Sequence, residues 1–150
     1  MKPGKIRPIA ICVFQNQEKI LVFEGYDSVK EEIFYRPLGG SIEFGEYSRE
    51  TARREIGEEI GAEVSELTYL GTIENIFTYN GEAGHEIVFV YRGEFKDRSL
   101  YNSSQITGTE DGDPIKVMWK SLNDFRNGQS PLYPTGLLEL LTRRESEYSK

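Results

Sequence analysis

The stretch "GGSIEFGEYSRETARREIGEEIGA", residues 39–62, decides the fold of this chain. Its second half predicts a helix over residues 49–60. The apolar positions that indicate the helix recur at four-residue spacing, at Ala52, Ile56 and Ile60. Ser48 suits the N-cap, and Gly61 is the expected C-terminal stop. The stretch therefore predicts a strand-to-loop segment followed by a capped helix.

Three carboxylates share one edge of this helix. Glu55, Glu58 and Glu59 are spaced three and four residues apart, and each such pair of like charges costs on the order of 0.2–0.5 kcal/mol. A solvated helix face is the simplest interpretation, but such faces normally mix both signs. A hard divalent cation such as Mg²⁺ prefers oxygen ligands and leaves coordination sites for phosphate oxygens and water. The cluster therefore favours metal-assisted phosphate chemistry.

Composition narrows the class of protein. The chain has 150 residues, with 18 basic and 25 acidic side chains, so we expect one domain spanning residues 1–150. The acidic balance repels polyanions, so free nucleic acid is not expected as a partner. The single Cys12 lies in the apolar run "PIAICVF", which is too short to span a membrane, and it has no disulfide partner. These features predict a cytoplasmic chain with no membrane partner and with Cys12 in the core.

The order of elements indicates the fold. "IAICVF" and "KILVFE" flank a polar turn and predict a hairpin, and "EIFYRP" predicts a third strand. "LTYLGTIENIFTY" and "HEIVFVYRGEF" predict two longer strands, and "NSSQITGTEDGD" predicts a polar loop. "PIKVMWK" predicts a strand, and "SLNDFRNG" and "TGLLELLTRRE" predict helices, the first with a serine cap. The expected class is α/β (α+β): a mixed sheet in an α/β/α sandwich.

The pattern G-x5-E-x7-R-E-U-x-E-E-x-G-U, where U is apolar, is the Nudix box, and the chain resembles the Nudix hydrolase family because it matches this box without a gap. The matching residues are Gly40, Glu46, Arg54, Glu55, Ile56, Glu58, Glu59, Gly61 and Ala62. Ala62 is smaller than the aliphatic residue often found there. The resemblance implies a Nudix-like fold and a metal-dependent enzyme. Such an enzyme hydrolyses the pyrophosphate bond of a nucleoside diphosphate linked to another moiety, by attack of water on phosphorus.

The resemblance also implies which residues bind the cofactor, Mg²⁺ or Mn²⁺. Glu55, Glu58 and Glu59 would be the main metal ligands. The carbonyl oxygen of Gly39 or Gly40 would supply another ligand, because glycine permits close approach of the main chain.

Catalytic roles follow from the same resemblance. The general base is either a box glutamate, Glu55 or Glu58, or a carboxylate on the later loop, where Glu110 and Asp111 are the candidates. That loop is flanked by glycines and is expected to order when metal and substrate bind. Arg54 is expected to hold a box glutamate rather than to contact substrate.

Other residues of the box helix and its loop receive structural interpretations. Glu43 and Glu46 are expected to support the site or fix the loop. Glu50 and Arg54 are expected to pair at four-residue spacing. Gly57 costs about 1 kcal/mol in a helix interior, which a close-packed neighbour would explain.

Candidate substrate contacts lie outside the box, at Arg36, Tyr79 and His85. Tyr79 lies 17 residues after Ala62, a spacing typical of dinucleoside polyphosphate hydrolases of the family. The proline typical of ADP-ribose enzymes is absent at the corresponding distance. Further aromatic residues could stack on a base or a sugar, although most must lie in the core: Phe14, Phe23, Tyr35 and Phe77.

Alternatives from other classes stay open at this point. A non-catalytic Nudix-like nucleotide-binding module would be expected to lack one or more box glutamates, and none is missing. An isopentenyl diphosphate type of isomerase needs a cysteine in a polar pocket, whereas Cys12 lies in an apolar strand. A purely structural acidic interaction module does not require the arginine–glutamate register. The oligomeric state is left open, with a monomer and a homodimer as the alternatives.

Overall fold

The computed structural model describes residues 4–148, with side chains described as far as Arg143. Residues 1–3 and 149–150 of the predicted single domain lie outside this range. The described elements follow in the order β1 (Ile6–Val13), β2 (Gln15–Asn16), β3 (Lys19–Asp27), β4 (Glu32–Arg36), β5 (Leu38–Ser41), α1 (Ser48–Ile60), β6 (Val64–Tyr79), β7 (Glu82–Phe95), a 3₁₀ helix (Arg98–Asn102), β8 (Ile106–Glu110), β9 (Asp113–Ser121), α2 (Leu122–Arg126) and α3 (Leu137–Tyr148).

The strands form two sheets. The first has the order β5-β1-β7-β6 and is mixed, because β1 and β7 are parallel whereas the other pairs are antiparallel. The second has the order β2-β3-β9-β8, with β4 also paired to β3, and its pairs are antiparallel. The predicted mixed sheet is therefore present, but it contains only part of the strands, and the others form a second, antiparallel sheet.

Strand β1 connects the two halves of the core. Ile9, Ile11 and Val13 belong to a buried cluster that includes residues of α2 and α3. The alternate residues, Ala10 and Cys12, belong to a second buried cluster that includes residues of α1. Because neighbouring side chains in a strand point to opposite faces, helices cover both sides of β1. The predicted α/β/α sandwich is confirmed, and so is the burial of Cys12, which is free.

Two predictions of local structure hold only in part. The hairpin predicted between "IAICVF" and "KILVFE" is present but short: Gln15 and Asn16 pair with Ile20 and Lys19, and the N–H of Leu21 donates to the carbonyl oxygen of Phe14 at 3.0 Å. The rest of "IAICVF" lies in β1, which belongs to the first sheet and pairs with β5 and β7. The predicted loop "NSSQITGTEDGD" contains β8, which pairs with β9 through a tight turn at Asp111 and Gly112. The φ angles of 51° and 85° at these residues suit a two-residue hairpin turn.

The remaining elements match their predictions closely. Strands β4, β6, β7 and β9 cover the expected segments. Helix α2 is capped by Ser121, whose hydroxyl accepts the N–H of Asn123 at 3.2 Å. Strand β5 was not predicted, because the glycine pair it contains is unusual inside a strand.

Candidate functional site

Helix α1 carries the glutamates of the motif and is anchored by Ala52 and Ile56, which are buried. The helix begins one residue earlier than predicted, with Tyr47 as N-cap. The prediction of a Ser48 cap is wrong, because the Ser48 hydroxyl contacts the hydroxyl of Tyr91. Helix α1 ends as predicted at Gly61, whose φ of 67° is left-handed.

The predicted pair of Glu50 and Arg54 is also wrong. The Glu50 carboxylate turns back and accepts the N–H of Tyr47 at 2.9 Å. Such a contact satisfies a backbone donor that the first turn of the helix leaves unpaired. Glu50 therefore caps the helix, and Arg54 is available for other carboxylates.

Arg54 joins the loop before α1 to the glutamates of the helix. Its Nε and Nη2 donate to the two oxygens of Glu46 at 2.8 and 3.0 Å. Its Nη1 donates to Glu55 at 2.9 Å and to both oxygens of Glu58 at 3.3 Å. The bonds from Arg54 lower the pKa of Glu46 to about 2. Arg54 is thereby fixed by three carboxylates beside the candidate metal site.

The loop before α1 is fixed through Glu46. Besides Arg54, its Oε1 accepts the N–H of Glu43 at 3.2 Å and the hydroxyl of Thr51 at 2.6 Å. The carboxylate of Glu43 is largely exposed and lies 3.9 Å from Arg54. Glu46 therefore has the loop-fixing position that the sequence suggested, whereas Glu43 contributes mainly its backbone.

Two glycines of β5 bring the strand close to the helix glutamates. Glu59 is 5% exposed, and its Oε1 accepts the N–H of Gly39 at 3.0 Å. A Cβ on Gly40 would lie 2.5 Å from Cδ of Glu55, and a Cβ on Gly39 would lie 2.1 Å from the carbonyl oxygen of Ala10. Neither position has room for a side chain.

Strand β8 brings Glu110 to the same place. Gly108 lies against α1, since a Cβ there would be 3.2 Å from the carbonyl oxygen of Glu59. Glu110 follows two residues later and is paired with Asp113 in the hairpin. The prediction of a loop that orders on binding is therefore wrong, because Glu110 ends a paired strand.

Three carboxylates lie close together here, and their ionised forms are disfavoured. Burial, with the charges of Glu55 and Glu110, raises the pKa of Glu59 to about 9. Burial also raises the pKa of Glu55, although Arg54 opposes the shift. Glu110 is exposed to solvent as a residue, but partial desolvation of its carboxylate raises its pKa too. Raised pKa values in neighbouring carboxylates mark a position where a cation would be stabilised.

An open cleft adjoins these carboxylates. It includes Gly39, Gly40 and Glu110 at one end, and the apolar side chains of Ile9, Ile11 and Phe23 in its walls. The cleft is thus lined mainly by polar groups, with a smaller share of apolar surface.

Two arginines in the cleft lie beside a buried carboxylate, that of Glu86, which the sequence analysis did not predict. Glu86 is 3% exposed and lies 3.7 Å from Nη2 of Arg36 and 3.9 Å from Nη1 of Arg7. Arg36 was predicted as a substrate contact, whereas Arg7 and Glu86 were not predicted. The signal for Glu86 was present, because it is a charged residue in the otherwise apolar run "HEIVFVY".

The other predicted substrate contacts do not line the cleft. Tyr79 ends β6, where its hydroxyl donates to the carbonyl oxygen of Tyr26 at 3.3 Å and its ring meets Phe34 edge-on. His85 precedes Glu86 in β7 and therefore points to the opposite face of the sheet, where its Nε2 lies 3.9 Å from Glu74. The structure does not bring Tyr79 or His85 together with the box glutamates.

The aromatic residues proposed to stack on a base or a sugar lie partly in the cleft and partly in the core. Phe23 lines the cleft, whereas Phe14 is buried and stacks on Phe95 with ring centroids 3.8 Å apart. Tyr35 packs against Phe125. The close-packed neighbour expected at Gly57 is absent, because no atom lies within 4 Å of a Cβ built there.

The donor set fits a hard divalent cation in its chemistry. Glu55 and Glu59 offer carboxylate oxygens beside the main chain of Gly39 and Gly40. Among the side chains that the structure describes, no group of three or more His, Cys, Asp or Glu residues is already arranged to hold a metal ion. Glu58 points toward Arg54 instead. Oxygen donors with unbalanced charge are what Mg²⁺ or Mn²⁺ requires, so the residues fit such an ion after Glu58 turns.

A glutamate-bearing helix and the loop before it thus pack beside a cleft in an α/β/α sandwich. The NUDIX domain model matches residues 5–137, so the chain belongs to the NUDIX domain family. Members of this family hydrolyse nucleoside diphosphate derivatives, and the chain is a Nudix-type pyrophosphohydrolase.

Solved structures share this fold at low sequence identity. A NUDIX hydrolase from Nitrosomonas europaea is 19% identical, with a TM-score of 0.63 over 95% of this chain and 90% of that one. A MutT NUDIX hydrolase from Burkholderia pseudomallei is 20% identical, with a TM-score of 0.62 over 91% of this chain and 97% of that one. A MutT protein from Bacillus halodurans is 18% identical, with a TM-score of 0.59 over 91% and 80% of the two chains. These similarities concern the fold alone.

None of the helices in the described part of the chain is both long enough and apolar enough to span a bilayer.

Proposed function

We propose that this chain hydrolyses a pyrophosphate bond in a nucleoside diphosphate linked to another moiety, with Mg²⁺ or Mn²⁺ as cofactor. The observation that supports the proposal most is the group of Glu55, Glu59 and Glu110, whose pKa values are raised at one end of a cleft. Arg36 lies at the same end, where its charge is felt by Glu59 and Glu110. Clustered carboxylates beside an arginine suit a metal ion and the phosphates that bind to it.

In this proposal the metal ligands are Glu55, Glu58, Glu59 and the carbonyl oxygen of Gly40. A bound ion polarises the phosphorus centre and lowers the pKa of the attacking water. Arg54 is a positioning residue, because it holds Glu55 through Nη1 while its other nitrogens are fixed by Glu46. Arg54 is therefore expected to act on the orientation of the ligands rather than on the substrate.

Arg36 is the proposed phosphate contact. Its side chain is 23% exposed and lines the cleft between Glu86 and the helix glutamates. A guanidinium can donate two parallel hydrogen bonds to a phosphate. The roles of Tyr79 and His85 as substrate contacts stay predictions. The cytoplasmic location and the homodimer also stay predictions.

The general base is assigned to Glu110, with Glu55 as the alternative. Burial raises the pKa of Glu110, which brings it closer to the range where a carboxylate can accept a proton efficiently. Glu110→Gln should remove most of the turnover and flatten the acid limb of the pH–rate profile, while metal affinity changes little. Asp113→Asn is the matched control, since it removes a carboxylate from the partner position in the same hairpin.

The Glu110 assignment has a clear contrary outcome. Wild-type-like rates for Glu110→Gln from about pH 5 to pH 9 would exclude it as the base. If Glu55→Gln then removed the acid limb and also weakened metal binding, Glu55 would hold both roles.

The proposed function is tested by a hydrolysis screen with purified protein and Mg²⁺ or Mn²⁺. The substrates are nucleotide sugars, dinucleoside polyphosphates, nucleoside triphosphates and capped RNA, and the readout is released phosphate and nucleotide products. Hydrolysis of at least one substrate should stop with excess EDTA and return with the metal. Full turnover in EDTA would refute metal dependence, and binding of nucleotides without any turnover would favour the non-catalytic module.

A further inference from the structure

Glu86 lies at the centre of a row of three polar residues on neighbouring strands. In the first sheet, Glu86 of β7 is paired with Arg7 of β1 and with Asn75 of β6. Paired residues have their side chains on the same face of a sheet, so these three side chains are adjacent. Nδ2 of Asn75 donates to Oε1 of Glu86 at 3.4 Å, and Glu86 is 3% exposed. The sheet therefore holds this carboxylate in the buried wall of the cleft.

Two arginines pair with this one carboxylate. Arg7 comes from the first sheet and Arg36 from the second, and their guanidiniums lie 3.9 and 3.7 Å from Glu86. Their side chains are 36% and 23% exposed, whereas the carboxylate is buried. Glu86 thus lies on the buried side of both cations and balances the charge of only one of them.

Both arginines lie at the end of the cleft where the metal ligands are proposed. Nη2 of Arg7 donates to Oγ of Ser41 at 2.6 Å, and Ser41 follows Gly40 in β5. The charges of Arg36 and Arg7 oppose the effect of burial on the pKa of Glu110. The two arginines also line the cleft together with Gly40 and Glu110. The phosphates of a substrate bound at this end would therefore meet both of them.

The two guanidiniums have donors left for a ligand. A guanidinium has five N–H donors and no acceptor. Among the residues that the structure describes, the guanidinium of Arg7 donates to Ser41, and that of Arg36 donates to none. A guanidinium can donate two parallel hydrogen bonds to one phosphate. A fixed pair of arginines is therefore suited to a chain of phosphate groups.

We propose that Glu86 is a positioning residue that holds Arg36 and Arg7 side by side, so that both contact the phosphates of the substrate. The inference rests on the proposed function, in which Arg36 is the only phosphate contact outside the metal site. A free arginine side chain has many rotamers, and the loss of this freedom on binding weakens affinity. Glu86 restricts both arginines before the substrate binds.

The direction of the effect of Glu86→Gln distinguishes positioning from simple charge balance. This variant keeps the size of the side chain and removes its charge. If Glu86 only offset the charge of the arginines, the variant would have a more positive cleft and would bind phosphates more tightly. Because Glu86 positions the arginines, the variant should bind phosphates more weakly although its cleft is more positive.

The first measurement is steady-state kinetics on a substrate identified in the hydrolysis screen. Glu86→Gln and Arg7→Ala should each raise KM about 10-fold, with a smaller change in kcat, because the lost contacts are made to bound substrate. Glu94→Gln is the matched control, because it removes another carboxylate of β7 that lies 3.7 Å from an arginine, Arg98. The control should leave KM unchanged.

A double-mutant cycle tests whether Glu86 acts through the arginines. Glu86→Gln and Arg7→Ala together should raise KM by well under the product of about 100-fold expected for independent changes, because part of what Glu86 positions is already lost. A rise of about 100-fold would show that Glu86 and Arg7 act independently, and it would overturn the inference.

A binding measurement separates this inference from the proposed function. Binding of inorganic triphosphate is measured by calorimetry in EDTA, where neither metal nor turnover contributes. Wild type should bind it about 10-fold more tightly than Glu86→Gln or Arg7→Ala does. This result without hydrolysis in the screen would refute the proposed function and support the role of Glu86. Equal or tighter binding by Glu86→Gln, or equal binding by wild type and Arg7→Ala, would overturn the inference.

Discussion

Gly40→Ala should impair activity much more than stability. The new Cβ would lie 2.5 Å from Cδ of Glu55, and its nearest contacts are all atoms of that flexible carboxylate. To reach the 3.4 Å of ordinary contact, the carboxylate must retreat by about 0.9 Å. Because a misplacement of about 1 Å can cost about 10²-fold, kcat/KM should fall by that order.

Gly39→Ala provides the contrast, because its Cβ would meet main chain instead of a side chain. The carbonyl oxygen of Ala10 would be 2.1 Å away, so the β1–β5 pairing itself must shift. Overpacking of this kind costs about 1–3 kcal/mol or more. The assay pairs steady-state kinetics with thermal unfolding for both variants. Full kcat/KM in Gly40→Ala, or a loss of Tm as large as that in Gly39→Ala, would refute the reasoning.

The remaining predictions concern α1 and a turn distant from it. Gly57→Ala should stabilise the protein by about 1 kcal/mol, because the position is helical and has open space around it. Gly61→Ala should destabilise the protein by about 1–2 kcal/mol, because the φ of Gly61 is 67°. Changes of equal sign in the free energy of unfolding, measured with urea, would contradict this pair of predictions. Arg54→Lys should lower kcat/KM by about 10- to 100-fold, because lysine cannot hold Glu46 at two points, and unchanged kinetics would exclude a positioning role. Asp27 accepts hydrogen bonds from backbone N–H groups, chiefly that of Lys30, and these bonds lower its pKa. The stabilisation that the Asp27 carboxylate provides is therefore present above its unfolded pKa of about 3.9 and is lost as the pH falls below that value. Asp27→Asn should therefore lose less Tm than wild type between about pH 6 and pH 3, and equal losses would refute the assignment.

Helix α1 was predictable from the sequence because its signals are local. Apolar spacing, a C-terminal glycine and the run of glutamates all lie within residues 39–62. What could not be read locally was the use of individual side chains. The capping role of Glu50 and the choice of Glu46 as partner of Arg54 depend on the path of the loop before the helix.

The pairing of the strands was less predictable. Adjacent apolar segments suggest a hairpin, yet β1 pairs with β7 in parallel, and that choice depends on residues far along the chain. Strand β8 was missed because "ITGTE" is polar and contains a glycine. That glycine is explained by tertiary contacts, since a Cβ there would lie 2.8 Å from Cγ2 of Val117 and 3.2 Å from the carbonyl oxygen of Glu59.

Most residues of the cleft were not predicted either, because they are distant from one another in the sequence. Arg7, Arg36 and Glu86 come from three different strands and meet only after both sheets have formed. Of these, only Arg36 was predicted, as a substrate contact. A charged residue inside an apolar strand such as "HEIVFVY" is a signal that can be used in other sequences.

The parallel pairing of β1 and β7 also sets the order of events during synthesis. It joins Ile6 to His85 and Val13 to Arg92, so the central strand lacks this partner until the ribosome has released β7. The glutamate helix is synthesised much earlier, but contacts between distant residues form late. Until β7 is synthesised, Gly93 does not cover the Cys12 thiol. In the folded chain Gly93 packs directly on that sulfur, because a Cβ at Gly93 would lie 2.5 Å from Sγ of Cys12. Nascent chains that end before β7 should therefore react with thiol reagents at Cys12, and complete chains should resist them.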